Sequence, residues 1–401
     1  MNLDLVEILT RSFKKNASDV HLKAGLVPVI RKHGRLRPLQ SGMTPLTAKE
    51  IEAMAFGILD EEQKKTLDTK HEVDVGYGVT GLGRFRINIF LQRGSLRMVI
   101  RNIPFAVPTL EDLNLPPVIK TIANYERGLV LVTGITGSGK SSTLAAMIDH
   151  INDTQNAHIL TIEDPIEFLI RDRKSIISQR EIGLDTTTFA SALRAALRQD
   201  PDVILIGEMR DRETIDIAIT AAETGHLVLS TLHTVDAKET INRILAAYEP
   251  HQQPQIRRQL GSVLKAVVSQ RLARRADNNG FVPAVEILIT NQRVKDMIED
   301  PAKTDTLSIV LEESKDTVGM QSFDQSLMDL LARELIDYDE ALSLSANQED
   351  FQLKAAGIAG GDNQQWHSNS KVSDKARGRK WAQDTALEID LDPTNSSGND
   401  D

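Results

Sequence analysis

The chain has 401 residues, no cysteine, 40% hydrophobic residues and a formal net charge of −10. Without cysteine it has no disulfide, thiolate zinc site or thiol nucleophile. The acidic balance argues against a general nucleic-acid binder, and no nucleic-acid partner is expected. No run approaches the roughly 18 apolar residues of a membrane span. The acidic start Met1-Asn2-Leu3-Asp4-Leu5-Val6-Glu7 is unlike a signal peptide, so a cytoplasmic protein of two or three domains is expected.

In chain order, residues 3–15 carry the spacing of an amphipathic helix, with Leu3, Val6, Leu9 and Phe13 on one face. Ser18 to Leu22 reads as a strand. Val27 to Arg31 and Arg35 to Leu39 read as a hairpin with His33-Gly34 at its turn. Residues 47–67 are helical in period. Val73 to Val79, Arg84 to Leu91 and Leu96 to Ile103 read as strands, so residues 1–103 form a small α+β domain. Pro104, Pro108, Pro116 and Pro117 mark a linker over 104–117, because proline removes donors and disfavours helix before it.

From 118 to 290 strands and helices alternate. A helix at Val118 to Tyr125 is followed by strands at 128–133, 158–162, 203–206 and 227–231. Helices lie at 140–152, 187–198, 211–223 and 236–247, with 252–273 read as helix and 281–289 as strand. This alternation predicts an α/β fold with a mostly parallel sheet covered on both faces. Residues 291–357 read as a helical C-terminal section. Residues 358–401 read as a disordered polar tail, with Trp366 and Trp381 as a possible docking segment within it.

The chemistry gathers around Leu129 to Ser142. An apolar strand leads into Gly134-Ile135-Thr136-Gly137-Ser138-Gly139-Lys140-Ser141, a full G-x-x-x-x-G-K-[ST] match, and a helix begins there. Glycines let the backbone wrap a phosphate, and successive N–H groups point at the anion. Lys140 would reach the β- and γ-phosphates of a nucleotide, and the Ser141 hydroxyl would hold Mg²⁺.

Ile204-Leu205-Ile206-Gly207-Glu208 is an apolar strand ending in a carboxylate, with glycine where a Walker B strand usually has aspartate. Glu208 is read as general base or water-positioner, against an ordinary strand-end carboxylate. Glu163, Asp164 and Glu167 cluster at another strand end, either as a Mg²⁺ or γ-phosphate site or as a solvated acidic loop. His226 and His233 fall at opposite ends of one strand, each either a γ-phosphate donor or structural; two histidines alone are a poor metal site. Arg84, Arg86, Arg97 and Arg101 lie on strands of the first domain, and Arg194, Arg198 and Arg210 in the second. Each is either an arginine finger or part of a salt-bridged face.

Taken together, Gly134 to Ser141, Thr161 to Phe168, Leu197 to Asp211, and Ala222 to Leu227 with Thr231 to Thr234 resemble the Walker A, Asp, Walker B and His boxes of the secretion ATPase superfamily. Among them the resemblance is to the type IV pilus retraction ATPases (the PilT/PilU family), over about residues 1–350. Ser18 to Leu22 and Gly83 to Arg86 resemble that family too. The resemblance implies a PAS-like N-terminal domain, a RecA-like P-loop ATPase core and a homohexameric ring. It implies ATP with Mg²⁺, with nucleotide held by Gly134, Thr136, Gly137, Ser138, Gly139, Lys140, Ser141, Ser142 and Arg84. Glu208, Glu163, Arg86, Arg101, His226 and His233 would be catalytic. The implied role is pilus retraction (twitching motility) at the inner-membrane pilus base, on the pilus platform protein.

The segment Arg293 to Asp300 departs from the usual signature of the autonomous retraction motors. Gly319 to Leu327 is similar to the accessory PilU type, which depends on a paralogous retraction ATPase. An accessory motor, or a weakly active nucleotide-binding adaptor in a mixed ring, is therefore the alternative reading. An assembly or secretion ATPase is less favoured, since those usually carry a tetracysteine zinc site.

Overall fold

The computed structural model describes residues 4–32, 35–103 and 107–356. Helix α1 (Leu5–Lys14) opens the chain, capped by the Asp4 carboxylate, which accepts from the Glu7 N–H. Strands β1 (Asp19–Lys23), β2 (Val29–Lys32) and β3 (Arg35–Pro38) follow, then helices α2 (Ala48–Phe56) and α3 (Glu61–Lys70), then β4 (Glu72–Val79), β5 (Gly83–Gln92) and β6 (Ser95–Ile103). The 47–67 periodicity belongs to two helices rather than one. Each starts with its own capping box, Thr47 with Glu50 and Asp60 with Gln63. The expected turn at His33-Gly34 lies outside the described residues.

The six strands are ordered β3-β2-β1-β6-β5-β4, and the pairings are antiparallel. Side chains alternate across the sheet. Val20, Leu22, Ile30, Val75, Phe85, Ile87, Ile89, Met98 and Ile100 join one core with Ile8, Leu9 and Ile51 of the helices. The register puts the other parity on the opposite face, where Asp19 stands beside Arg101 and Arg101 beside Arg86.

The second sheet is built from α4 (Val118–Ala123), β7 (Gly128–Thr133), α5 (Lys140–Thr154), β8 (His158–Glu163), β9 (Ile176–Glu181), α6 (Phe189–Ala196), β10 (Val203–Ile206), α7 (Arg212–Glu223), β11 (Leu227–Leu232), α8 (Ala237–Leu245), α9 (Gln253–Val263), β12 (Leu264–Arg274) and β13 (Phe281–Ile289). The order is β13-β12-β7-β11-β10-β8-β9, and the pairings from β12 through to β9 are parallel. Strands β7, β10 and β11 are buried along their whole length, and separate apolar clusters cover the two faces.

Two expectations are corrected here. Residues 252–273 are not one helix: α9 stops at Val263 and β12 follows. Ala266, Val267 and Val268 are fully buried. A continuous apolar run reads alike as buried helix or buried strand, and the β-branched pair fits the pleated surface. Strand β9 was not expected at all; its Ser178-Gln179-Arg180-Glu181 stretch is polar, and β9 is the sheet edge.

The described residues form two compact units, one of residues up to 271 with 285–321, the other of 272–284 with residues from 322 on. In the first, helices α10 (Gln292–Glu299), α11 (Pro301–Thr304), α12 (Leu307–Glu313) and α13 (Lys315–Val318) follow β13. Val294, Ile298, Leu307 and Val310 join the core of the seven-stranded sheet. The second unit holds α14 (Phe323–Ala332), α15 (Tyr338–Leu344) and α16 (Gln348–Ala355) around Ala273, Val282, Ala284, Leu327, Leu330 and Phe351. Among the described residues no helix is long and apolar enough to cross a membrane. The expected tail at 358–401, with Trp366 and Trp381, lies outside the described residues.

Candidate nucleotide site

Buried β7 delivers the chain to Gly134, whose φ of 144° is open only to glycine. A Cβ here would lie 2.4 Å from Ser138 Oγ and 2.5 Å from the Gln270 carbonyl oxygen. Gly137 and Gly139 also have positive φ, and Gly139 caps α5. Thr136 and Gly137 are exposed on the rim of the loop, while Ser141 and Ser142 are half-buried in the first turn of α5. That turn leaves N–H groups without helical partners, aimed where an anion would bind. Lys140 is 9% exposed, and its ammonium donates to the carbonyls of Gly134 at 2.9 Å and Ile135 at 3.0 Å. Burial pushes its pKa down; the carboxylates of Glu208 and Glu167 oppose that shift. A backbone cradle with a buried, carboxylate-flanked lysine fits a nucleotide's phosphates.

Glu208 follows β10. Gly207 sits tightly there: its N–H donates to the Ile162 carbonyl at 2.8 Å, and a Cβ would lie 3.2 Å from that oxygen. The Glu208 Oε1 lies 2.6 Å from Arg210 Nε and 3.5 Å from His233 Nε2. Burial would raise its pKa, but the hydrogen bond and charge of Arg210, then His233 and Lys140, outweigh it and hold the carboxyl below the usual range. β11 lies between β7 and β10, so His233, just past its end, stands between phosphate loop and carboxylate. Hydroxyls lock this arrangement: Ser230 donates to the Ile206 carbonyl at 2.8 Å, and Thr231 to Gly207 at 2.6 Å. The open cleft here, of 760 Å³, is lined by Glu208, Arg210, His233, Glu239, Asn242 and Arg243 among others.

Glu163 ends β8 ahead of a cis Asp164–Pro165 bond. Its carboxylate accepts from Thr161 Oγ1 at 2.7 Å and Gln179 Nε2 at 3.1 Å. Burial raises its pKa despite those bonds and that of the Glu167 backbone. Of the three acids in this loop, Glu167 is the one whose charge acts on Lys140.

Four expected site residues are not brought to this chain's own loop. His226 precedes β11, whose Leu227 pairs with Gly128, whereas the loop leaves β7 at Thr133. Six residues of strand at ~3.3 Å each separate them by about 20 Å. The His226 ring Nδ1 instead lies 2.9 Å from the Ala221 carbonyl oxygen. Arg84 donates to Glu181 at 3.1 Å, at the end of edge strand β9. Four strand spacings of ~4.8 Å put that edge about 19 Å from β7. Arg86 pairs with Asp74 at 3.4 Å and Arg101 with Asp19 at 3.2 Å, both on the charged face of the first sheet. Gln270 was missed as a site residue; it stands among Lys265, Ser269 and Arg271 in the mixed run from Leu264 to Leu272, which gives no local signal for it.

A parallel sheet with a phosphate loop after one buried strand and a carboxylate after the strand two places away defines a RecA-like phosphate-loop α/β protein, here with a second sheet preceding it. The chain belongs to the family described as type II/IV secretion system protein, which it matches over residues 3–297. It is 43% identical to the type IV pilus retraction ATPase PilT of Pseudomonas aeruginosa, over 87% of this chain and 100% of that one. It is 38% identical to the type IV pilus ATPase PilU of the same organism, over 88% and 91%. The crystal structure of the pilus retraction motor PilT with bound ADP superposes with a TM-score of 0.80 and 41% identity, covering 86% of this chain and 98% of that one.

Proposed function

We propose that this chain is an ATP-hydrolysing motor that drives retraction of a type IV pilus. The single observation that carries the chemistry is the meeting of Glu208, His233 and Lys140 at the C-terminal ends of adjacent parallel strands. Whole-length similarity to PilT supports the assignment to retraction.

In this reading the loop from Gly134 to Ser142 wraps the phosphates. Lys140 exchanges its two carbonyl bonds for phosphate oxygens. Glu208, kept ionised by its cationic neighbours, accepts a hydrogen bond from the attacking water and orients it toward the γ-phosphorus. His233 donates to the transferred group. Ser141 is the side chain that would hold Mg²⁺, which neutralises charge on the β- and γ-oxygens when bound. Arg86 and Arg101, whose side chains are 41% and 70% exposed, serve as fingers for the site of a neighbouring copy.

The working form is a ring, a homohexamer, with residues 1–103 and 118–290 as its moving domains. It acts on the pilus platform protein at the inner-membrane base. The alternative, an accessory motor of the PilU type, is favoured by the departure at Arg293 to Asp300 and by the segment from Gly319 to Leu327. Steady-state ATPase of the full chain, with Glu208→Gln as control, and its mass in solution with ATP, tests the reading. A ring whose turnover is lost in the control supports it. A folded chain that binds ATP but turns it over only beside a paralogue selects the accessory form.

A further inference from the structure

β12 runs beside β7 with Ser269 opposite Thr133, and the Thr133 hydroxyl donates to Ser269 Oγ at 2.9 Å. The next residue, Gln270, therefore stands at the level where the phosphate loop begins. It is 2% exposed, in a strand where Ala266, Val267 and Val268 are fully buried. A carboxamide in such a place costs stability unless its polar atoms are bonded. Only half of this one is. Nε2 donates to Thr143 Oγ1 at 2.9 Å, while Oε1 is buried without a partner. In the loop itself, the buried Ser138 hydroxyl also has no partner.

Both limbs of the loop meet at this residue. The Gln270 carbonyl oxygen lies against Gly134 on the strand limb, in the space a Cβ would need. Its side chain holds Thr143 in the first turn of α5, on the helix limb, where the Thr143 N–H bonds the Gly139 carbonyl at 3.0 Å. Lys140 and Ser141 project from that turn. We propose that Gln270 is a positioning residue for nucleotide binding: it sets the spacing of the two limbs and so the aim of Lys140 and Ser141. Unsatisfied atoms on both Gln270 and Ser138 mark bonding that is completed only as the loop takes its phosphate-bound shape. This rests on the nucleotide reading above.

The test measures ATP·Mg affinity, KM and kcat, and the melting temperature with and without ATP·Mg. The proteins are the full-length wild type, Gln270→Met, Thr143→Val and the double variant. Each single variant should weaken ATP binding roughly tenfold, as loss of a buried hydrogen bond predicts. The double variant should also be weakened roughly tenfold, since both changes remove the same bond. KM should rise more than kcat falls, and the nucleotide-induced rise in melting temperature should shrink while the nucleotide-free value moves little. A purely structural role would instead lower melting equally in both states. Unchanged affinity in the singles, additive losses in the double, equal loss of melting in both states, or failure of both singles to fold would overturn the proposal. A wild type with no nucleotide-dependent melting shift would remove the nucleotide reading and this proposal with it.

Discussion

The Nε2 of His233 lies 3.5 Å from the Oε1 of Glu208, the two residues arriving from neighbouring parallel strands. Arg210 holds the same oxygen from the other side at 2.6 Å. The carboxylate thus stands beside two basic side chains, which favours its ionised, proton-accepting form.

Replacing that carboxylate with an amide should separate binding from turnover. Glu208→Gln is expected to keep nucleotide-induced thermal stabilisation and to lose about 10²–10⁴ in kcat, the usual worth of a positioned base. Normal turnover in the variant would remove the base role.

Lys140 is buried and its charge is disfavoured by that burial. Lys140→Ala should therefore melt close to the wild type without nucleotide, yet show no stabilisation by ATP. Differential scanning fluorimetry with and without ATP·Mg checks both halves.

The two site carboxylates should give opposite pH signatures. Glu208 has a pKa below its ordinary 4.5, so its contribution to stability is present above that value and lost as pH falls through the folded one. Glu163 has a raised pKa, so its favourable contribution is present below 4.5 and lost as pH rises through the folded value. Relative to wild type, as pH is varied across 4.5, Glu163→Gln should therefore gain stability on the alkaline side and Glu208→Gln on the acid side. Melting curves across that range decide the sign.

Arg84 bonds the Glu181 carboxylate, which is 9% exposed. Arg84→Ala leaves a buried carboxylate that accepts from the Ile166 N–H and is repelled by the Asp185 carboxylate, at a cost of about 2 kcal/mol. Glu181→Gln should cost less, because no buried charge remains. Urea unfolding of both variants measures the difference.

The parts of the site that are local in the chain were legible in the sequence. The loop from Gly134 to Ser141, the strand ending at Glu208 and the strand ahead of His233 each carry their meaning within a few residues. The alternation that predicts a covered parallel sheet is local as well. What the sequence could not carry was pairing across distance. Nothing near Arg84 names Glu181, and nothing near Gln270 names Thr143. β12 was hidden because a strand buried on both faces loses the period-two signature. His226 was misplaced for a related reason: its spacing from His233 is visible, but which end of the strand meets the loop follows from the register of β11 against β7.

The tightest point of the phosphate loop is a residue with no side chain. At Gly134 one added methyl group would collide with both Ser138 and Gln270, while the neighbouring Ile135 is 62% exposed. Tolerance to substitution along this loop should therefore change abruptly between adjacent positions. A survey of tolerated variants would rank Gly134 with Lys140, although one contributes only empty space and the other a charge.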